Sequence, residues 1–279
     1  MERLLAAVTQ MTSTTDLEAN LAAVERTVRR AAERGASLVV VPENFAFIGD
    51  STPAADRRRM EIAEALPAGG PIVERMARLA RETRVHLVLG AMPERTPGET
   101  ARASNTQVVL SPAGDVVATY RKIHLFDVSF ADGPTFKESN SIVPGAVPVL
   151  AALPGVTLGL TICYDLRFPE LFRKLALEGA EVFTMPAAFT LHTGKDHWEP
   201  LLRARAIENT AYVLASAQWG THSPGRSSWG KSMIVDPWGE VVAQASEGEG
   251  FAIAELDPEL LARTRAGLPT LKHGRLTIT

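Results

Sequence analysis

Three side chains of complementary reactivity each close an apolar run of this sequence. Glu43 follows Leu38-Val39-Val40-Val41-Pro42, Lys122 follows Val117-Ala118-Thr119-Tyr120-Arg121, and Cys163 follows Leu158-Gly159-Leu160-Thr161-Ile162. Each is expected at or just past the C-terminal end of a strand, the edge where α/β sheets build ligand sites. A carboxylate, an ammonium and a thiol in one pocket supply what amide hydrolysis needs. The thiol attacks as its thiolate. The carboxylate takes the thiol proton and passes it to the departing amine. A cation beside the attacked carbonyl stabilises the oxyanion, and the backbone N–H of Tyr164 is a second donor for it. Taken singly, each residue also has a plainer role: a small buried hydrophobe, a turn, a solvated lysine. Spacing alone does not establish that the three meet.

Other chemistries have less support. Cys163 is the one cysteine, so neither a redox pair nor an intramolecular disulfide can form. The six histidines show no metal-ligand spacing; His192 and His197 are five apart and lack a third partner. There is no glycine-rich phosphate loop. With 29 basic against 32 acidic residues the net charge is −3, which argues against a nucleic-acid partner. The longest basic run, Arg57-Arg58-Arg59, reads as a solvated helix face. Met1-Glu2-Arg3 leads into an apolar run too short for a secretory leader. The longest uncharged stretch, Ser139 to Tyr164, is broken by Pro144, Pro148 and Pro154, which suits strands and turns rather than a membrane helix. A soluble, cytoplasmic protein is expected, with no metal and no cofactor.

Strand-like and helix-like segments alternate around these residues. Leu4–Met11 reads as a strand, and Asp16 caps a helix that Gly35 ends. Ser37–Val41 and Val85–Met92 read as strands buried on both faces, with helices near Ala54–Leu66 and Pro71–Thr83 between them. Ala103–Leu110 with Val116–Arg121, and Val147–Leu153 with Val156–Cys163, read as hairpins. The second half adds helices at Phe168–Leu177, His197–Asn209 and Pro258–Arg265, strands at Glu181–Pro186, Tyr212–Ala217 and Phe251–Leu256, and a hairpin around Asp236-Pro237-Trp238-Gly239. No linker or repeat divides the chain, so residues 1–279 read as one domain. The pattern predicts an α/β fold: a mixed sheet, or two sheets face to face, with helices outside.

Three motifs, in order, resemble the nitrilase superfamily of carbon–nitrogen hydrolases. They are Pro42-Glu43-Asn44, then Tyr120-Arg121-Lys122-Ile123-His124-Leu125-Phe126-Asp127, then Cys163-Tyr164-Asp165-Leu166-Arg167-Phe168-Pro169-Glu170. The resemblance runs from Ala7-Val8-Thr9-Gln10-Met11 to the C-terminal helix. It implies an αββα sandwich, assembly into homodimers or larger homo-oligomers, and catalysis by Glu43, Lys122 and Cys163 through a thioester. Thr135-Phe136-Lys137-Glu138-Ser139 matches the segment of a second family glutamate, which implies that Glu138 orients Lys122.

Tyr164-Asp165 after the cysteine departs from the Trp-Glu of true nitrilases, and Leu166-Arg167 from the paired arginines of N-carbamoyl hydrolases. The second half resembles the deaminated glutathione amidase branch, in Ala188-Phe189-Thr190, His197-Trp198-Glu199 and Ala217-Gln218-Trp219-Gly220-Thr221-His222. Lys195-Asp196 and Lys231 depart from that branch. The implied small-molecule substrate has an α-ketoglutaryl acyl group with a free carboxylate. Arg167 is the candidate cation for it, with a structural pairing to Glu170 as the other reading, and Phe189 and Thr190 are candidates for the opposite wall. An ω-amidase acting on α-ketoglutaramate, an N-carbamoyl amino-acid hydrolase and a non-catalytic binding member of the family are the alternatives.

Overall fold

Strand β1 (Leu4–Met11) turns Ala6 and Val8 to one side and Ala7 and Met11 to the other, and all four are buried. A strand hidden on both faces must lie between two packed layers. The structure, a computed structural model, describes residues 1–50, 52–130 and 135–276.

The first half continues through α1 (Leu17–Glu33), β2 (Leu38–Val40), α2 (Pro53–Ile62), α3 (Pro71–Thr83), β3 (His86–Arg95), β4 (Ala103–Leu110) and β5 (Val116–Arg121). A short antiparallel ribbon of β6 (Asp127–Ser129) and β7 (Thr135–Lys137) follows, and β8 (Ile142–Val143) returns to pair with β4. The second half holds β9 (Leu150–Leu153), β10 (Val156–Leu160), α4 (Pro169–Leu177), β11 (Val182–Ala187), α5 (Leu191–Asn209), β12 (Tyr212–Ser223), β13 (Arg226–Trp229), β14 (Met233–Val235) and β15 (Val241–Gln244). Strand β16 (Gly250–Leu256) crosses back to pair antiparallel with β1, and α6 (Pro258–Gly267) and α7 (Thr270–His273) close the described chain.

The first half-sheet runs β5-β4-β3-β2-β1-β16 and the second β9-β10-β11-β12-β14-β15. They join where the end of β1 pairs with β12, Gln10 opposite Ala217 and Met11 opposite Gln218. Ala6, Val8, Leu38, Val40 and Val88 face inward and share one apolar cluster with Leu158, Leu160 and Val182 of the second half. Ala7, Val39, Val41 and Leu87 face outward onto Leu21, Val24 and Val28 of α1 and Met76 and Leu79 of α3. Phe172 and Leu175 of α4 with Trp198 and Leu202 of α5 cover the other outer face. The layers are therefore α, β, β, α, the sandwich the motifs imply. Gln107 ties the two sheets across the interior, accepting from the Thr184 hydroxyl at 3.0 Å and donating to the Thr161 carbonyl at 3.4 Å. Among the described residues no helix is long and apolar enough to cross a membrane.

Two helix boundaries differ from expectation for local reasons. Helix α2 ends at Ile62 rather than Leu66, because Glu64 leaves the helical path. Its backbone pairs with Glu94, and its carboxylate accepts from the N–H groups of Ile72 and Val73 at the start of α3. Helix α5 begins six residues before His197, at Leu191, capped by the Thr190 side chain. The glycine at position 194 belongs to this helix: a Cβ there would lie 2.3 Å from the Cβ of Trp229 on β13.

Candidate active site

Glu43 lies on the connection that leaves β2. Its neighbour Asn44 adopts a left-handed conformation (φ 59°), and the Asn44 N–H donates to Ala91 O at 3.0 Å. This path is possible because residue 90 is glycine: a Cβ there would lie 2.1 Å from Val41 O and 2.2 Å from Pro42 O. Gly90→Ala is therefore expected to push the Glu43 connection outward. Overpacking of this kind costs about 1–3 kcal/mol, and an ångström of misplacement costs about 100-fold in rate. Thermal unfolding and steady-state kinetics on the variant read the two effects separately.

Lys122 follows β5 directly. Its N–H donates to Asn105 O at 2.9 Å, and its own carbonyl accepts from Gly145 N–H at 2.8 Å. Cys163 stands three residues past β10, at the start of a 3₁₀ turn (Cys163–Arg167), with φ 49°. A side chain in that region is strained and persists only where neighbours enforce it. Asp165 supplies the enforcement. Its fully buried carboxylate accepts from Ile162 N–H at 2.8 Å, the Tyr120 hydroxyl at 2.7 Å and His124 N–H at 3.2 Å, and it contacts His124 Nδ1 at 2.7 Å. The His124 ring in turn stacks on Phe168 at 3.6 Å. From the far side Arg205 donates twice to the carbonyl of Leu166, at 3.0 and 2.7 Å.

These connections bring Glu43, Lys122, Glu138 and Cys163 into one cavity of about 380 Å³. Lys122 Nζ donates to Glu43 Oε1 at 3.0 Å and to both oxygens of Glu138, at 3.0 and 2.8 Å. Asn105 Nδ2 donates to Glu43 Oε1 at 2.9 Å, and Ala188 N–H to Glu43 Oε2 at 2.9 Å. Phe126 N–H holds Glu138 Oε2 at 2.7 Å. Burial alone would raise the pKa of Glu43, but the Lys122 ammonium and these hydrogen bonds outweigh it and hold the carboxyl below its usual range. Lys122 is pushed the opposite way. Burial disfavours its charge, yet Glu138 and Glu43 together raise its pKa well above that of a free lysine. Burial and the Glu43 charge raise the Cys163 thiol well above its ordinary value, with Lys122 opposing them. The resting pocket thus holds a neutral thiol beside an ionised carboxylate.

Tyr164, Phe189 and Thr190 all line the cavity. The Tyr164 ring meets Phe126 and Phe168 edge-on. Arg167 does not reach the lining. Its guanidinium lies over the Phe189 ring at 5.3 Å and approaches His197 Nδ1 at 3.4 Å, so it backs the wall that Phe189 presents. It makes no ion pair with Glu170 among the described residues. Arg57 and Arg58 are exposed as a solvated helix face predicts, but Arg59 turns inward and lines the cavity.

Sequence reasoning did not single out Asn105, Asp165, Ala188 N–H, Arg59 or Arg226 for this site. Asn105 sits among Ser104, Thr106 and Gln107 at the polar start of β4 and had no signal of its own, whereas Asp165 stood inside the cysteine motif. The Ala217-Gln218-Trp219-Gly220-Thr221-His222 run also has a physical role. Gln218 Nε2 donates to Glu43 O at 3.0 Å and to the Ser13 hydroxyl at 2.8 Å. His222 lies between Ser13 O and the Ser228 hydroxyl, each at 2.9 Å, and burial pulls its pKa down to about 4. It is a neutral brace at pH 7, donating from Nδ1 and accepting at Nε2.

A family model described as carbon-nitrogen hydrolase matches residues 5–266. The chain belongs to the carbon–nitrogen hydrolase family. A family relative from Synechocystis named deaminated glutathione amidase is 44% identical over 98% of both chains. The crystal structure of the C. elegans NitFhit protein superimposes with a TM-score of 0.90 at 40% identity, over 99% of this chain and 66% of that longer one. That of Saccharomyces cerevisiae Nit3, a nitrilase superfamily member of branch 10, gives 0.87 at 32% identity over 99% and 97%. This carbon–nitrogen hydrolase therefore shares their fold over nearly its whole described length.

Proposed function

We propose that the enzyme is an amidase that hydrolyses deaminated glutathione to α-ketoglutarate and cysteinyl-glycine through a thioester on Cys163. The substrate assignment is carried by the Synechocystis relative of that name, which matches along 98% of this chain. The mechanism is supported by the Lys122 bridge between Glu43 and Glu138, with the Cys163 thiol facing Glu43. Glu43 removes the thiol proton as the sulfur attacks the amide carbon. Lys122 and the Tyr164 N–H hold the oxyanion. Glu43 then protonates the amine, which leaves, and activates the water that cleaves the thioester. Glu138 keeps Lys122 in place. Phe189 and Thr190 shape the wall that meets the acyl group, and Arg167 braces Phe189 from outside the lining rather than binding a carboxylate itself. No step calls on a metal or an organic cofactor.

Residues 1–279 form one such domain in this reading. A homodimer is the assembly that the family resemblance implies. The compartment expected is the cytoplasm.

Single-turnover mass spectrometry with deaminated glutathione, beside Cys163→Ala, tests the proposal. The expected result is a transient α-ketoglutaryl adduct on Cys163 and dipeptide release, both lost in the variant. Release of ammonia from α-ketoglutaramate, with no turnover of deaminated glutathione, would replace the substrate by that of an ω-amidase. Full activity in Cys163→Ala would overturn the mechanism.

A further inference from the structure

The cavity contains cations that the proposed chemistry does not use. Arg226, the first residue of β13, and Arg59, on α2, line the same space as Cys163. Arg59 is paired with Asp56 at 2.6 Å. Arg226 donates to the carbonyl of Gly49, a neutral acceptor. Asp50 and Asp56 share this wall, but Asp56 is engaged by Arg59, and Asp50 accepts from the Thr52 hydroxyl at 2.6 Å. No carboxylate among the described residues lies within ion-pair distance of Arg226. Burial, with Arg59 beside it, lowers its pKa, yet a guanidinium does not give up its proton in a protein. A largely buried cation that, among the described residues, pairs only with a carbonyl is incompletely compensated by them. A ligand that brings an anion supplies what the described residues do not.

The position indicates which part of a substrate that anion belongs to. Arg226 reaches the carbonyl of Gly49 on the segment that leaves Glu43, and of the reactive groups it is the Glu43 charge that acts on it most, ahead of Glu138 and Cys163. Arg167 stands behind Phe189, outside the lining. Glu43 is the group that protonates the departing amine in the proposed mechanism. We infer that Arg226, backed by Arg59, binds a carboxylate carried by the amine half of the substrate and sets a preference for amides whose amine ends in an acid. In deaminated glutathione that carboxylate is the terminal one of cysteinyl-glycine. A cavity of about 380 Å³ lies within the usual ~300–1,000 Å³ of small-molecule sites. The inference rests on the amidase reading but not on the identity of the acyl group.

The test compares substrates with one acyl group and three amines: cysteinyl-glycine, cysteinyl-glycinamide and ammonia. Wild type is expected to favour the acid over its carboxamide by roughly ten- to a hundredfold in kcat/KM, the worth of a hydrogen-bonded charge. Arg226→Gln is expected to erase that preference, costing the acid at least tenfold more than the ammonia-releasing amide. Arg226→Lys is expected to keep part of it. Calorimetric binding of cysteinyl-glycine and of its carboxamide to both proteins reads the same discrimination without turnover. A preference that survives Arg226→Gln would overturn the inference, and so would an equal loss for all three amines or equal binding of acid and carboxamide. If α-ketoglutaryl amides are not substrates, the acyl assignment fails. The amine comparison then moves to whichever acyl group is turned over, with the same outcomes.

Discussion

Glu43→Gln is expected to reduce turnover by about 10³- to 10⁴-fold, the upper range for a general acid–base group, while making the Cys163 thiol more acidic. The two effects have separate causes. Turnover falls because glutamine cannot take the thiol proton or return it to the amine. The thiol becomes more acidic because, after burial, the Glu43 charge is the main influence raising its pKa, and Lys122 remains to stabilise the thiolate. The sign follows from the acid equilibrium: a raised thiol pKa delays the thiolate to higher pH, and removing the neighbouring negative charge advances it. The measurement is the rate of Cys163 alkylation by iodoacetamide against pH. The wild-type inflection should lie above that of a free thiol, near ~8.5, and the variant's should move down. An unchanged or rising inflection would show that Glu43 does not control the thiol.

Lys122→Met should have the largest effect on stability. The lysine is 2% exposed and is the cation shared by Glu43 and Glu138, which are otherwise brought close together. Removing one member of a buried ion pair costs about 3–5 kcal/mol, and here two carboxylates are left facing each other. Chemical denaturation of Lys122→Met should show a loss of that order at pH 8 and a smaller one at pH 5. Without the ammonium, burial raises the Glu43 pKa above its unfolded value. The cost of keeping it ionised is then relieved as pH falls through that raised value. Adding Glu43→Gln should restore much of the stability without restoring turnover. If the double variant is no more stable than Lys122→Met, charge repulsion is not what destabilises the single variant.

The strands and helices legible in the sequence were those with unambiguous local signals. The Asp16 cap and helical spacing gave α1 to within a residue or two, and valine-rich runs gave β2 and β3. The start of α5 was hidden because Gly194 reads locally as a breaker; the glycine is required by Trp229, from a distant strand. Ribbon β6–β7 and strand β13 were missed because they are short and half exposed, with no sustained alternation. The expected hairpin strand ending in Cys163 stops at Leu160 instead, where the chain turns out of the sheet into the 3₁₀ turn.

The reactive trio was legible because each member follows an apolar run, and Glu138 only through the family resemblance. The groups that hold these residues were mostly not legible. Asp165 acts through Tyr120 and His124, more than forty residues away, and Arg226 meets Gly49 across 177 positions. Local spacing carries no trace of such pairings, because packing decides them only after the two sheets meet.

The join between the half-sheets carries a wider consequence. Glu43, Asn105 and Lys122 are delivered by the first half, and Cys163 and the Ala188 N–H by the second, so the reactive centre works as an alignment gauge for the two layers. A slide of one layer by a single strand residue, ~3.3 Å, would break only the short β1–β12 pairing and leave the ladders within each half intact, while parting thiol from carboxylate. Even a one-ångström shift is costly to such chemistry. The apolar residues between the sheets are thus held to a tighter tolerance than stability alone imposes. A substitution there that the fold absorbs with little strain can still silence the enzyme, and inherited change in one layer is accepted only where the other keeps step.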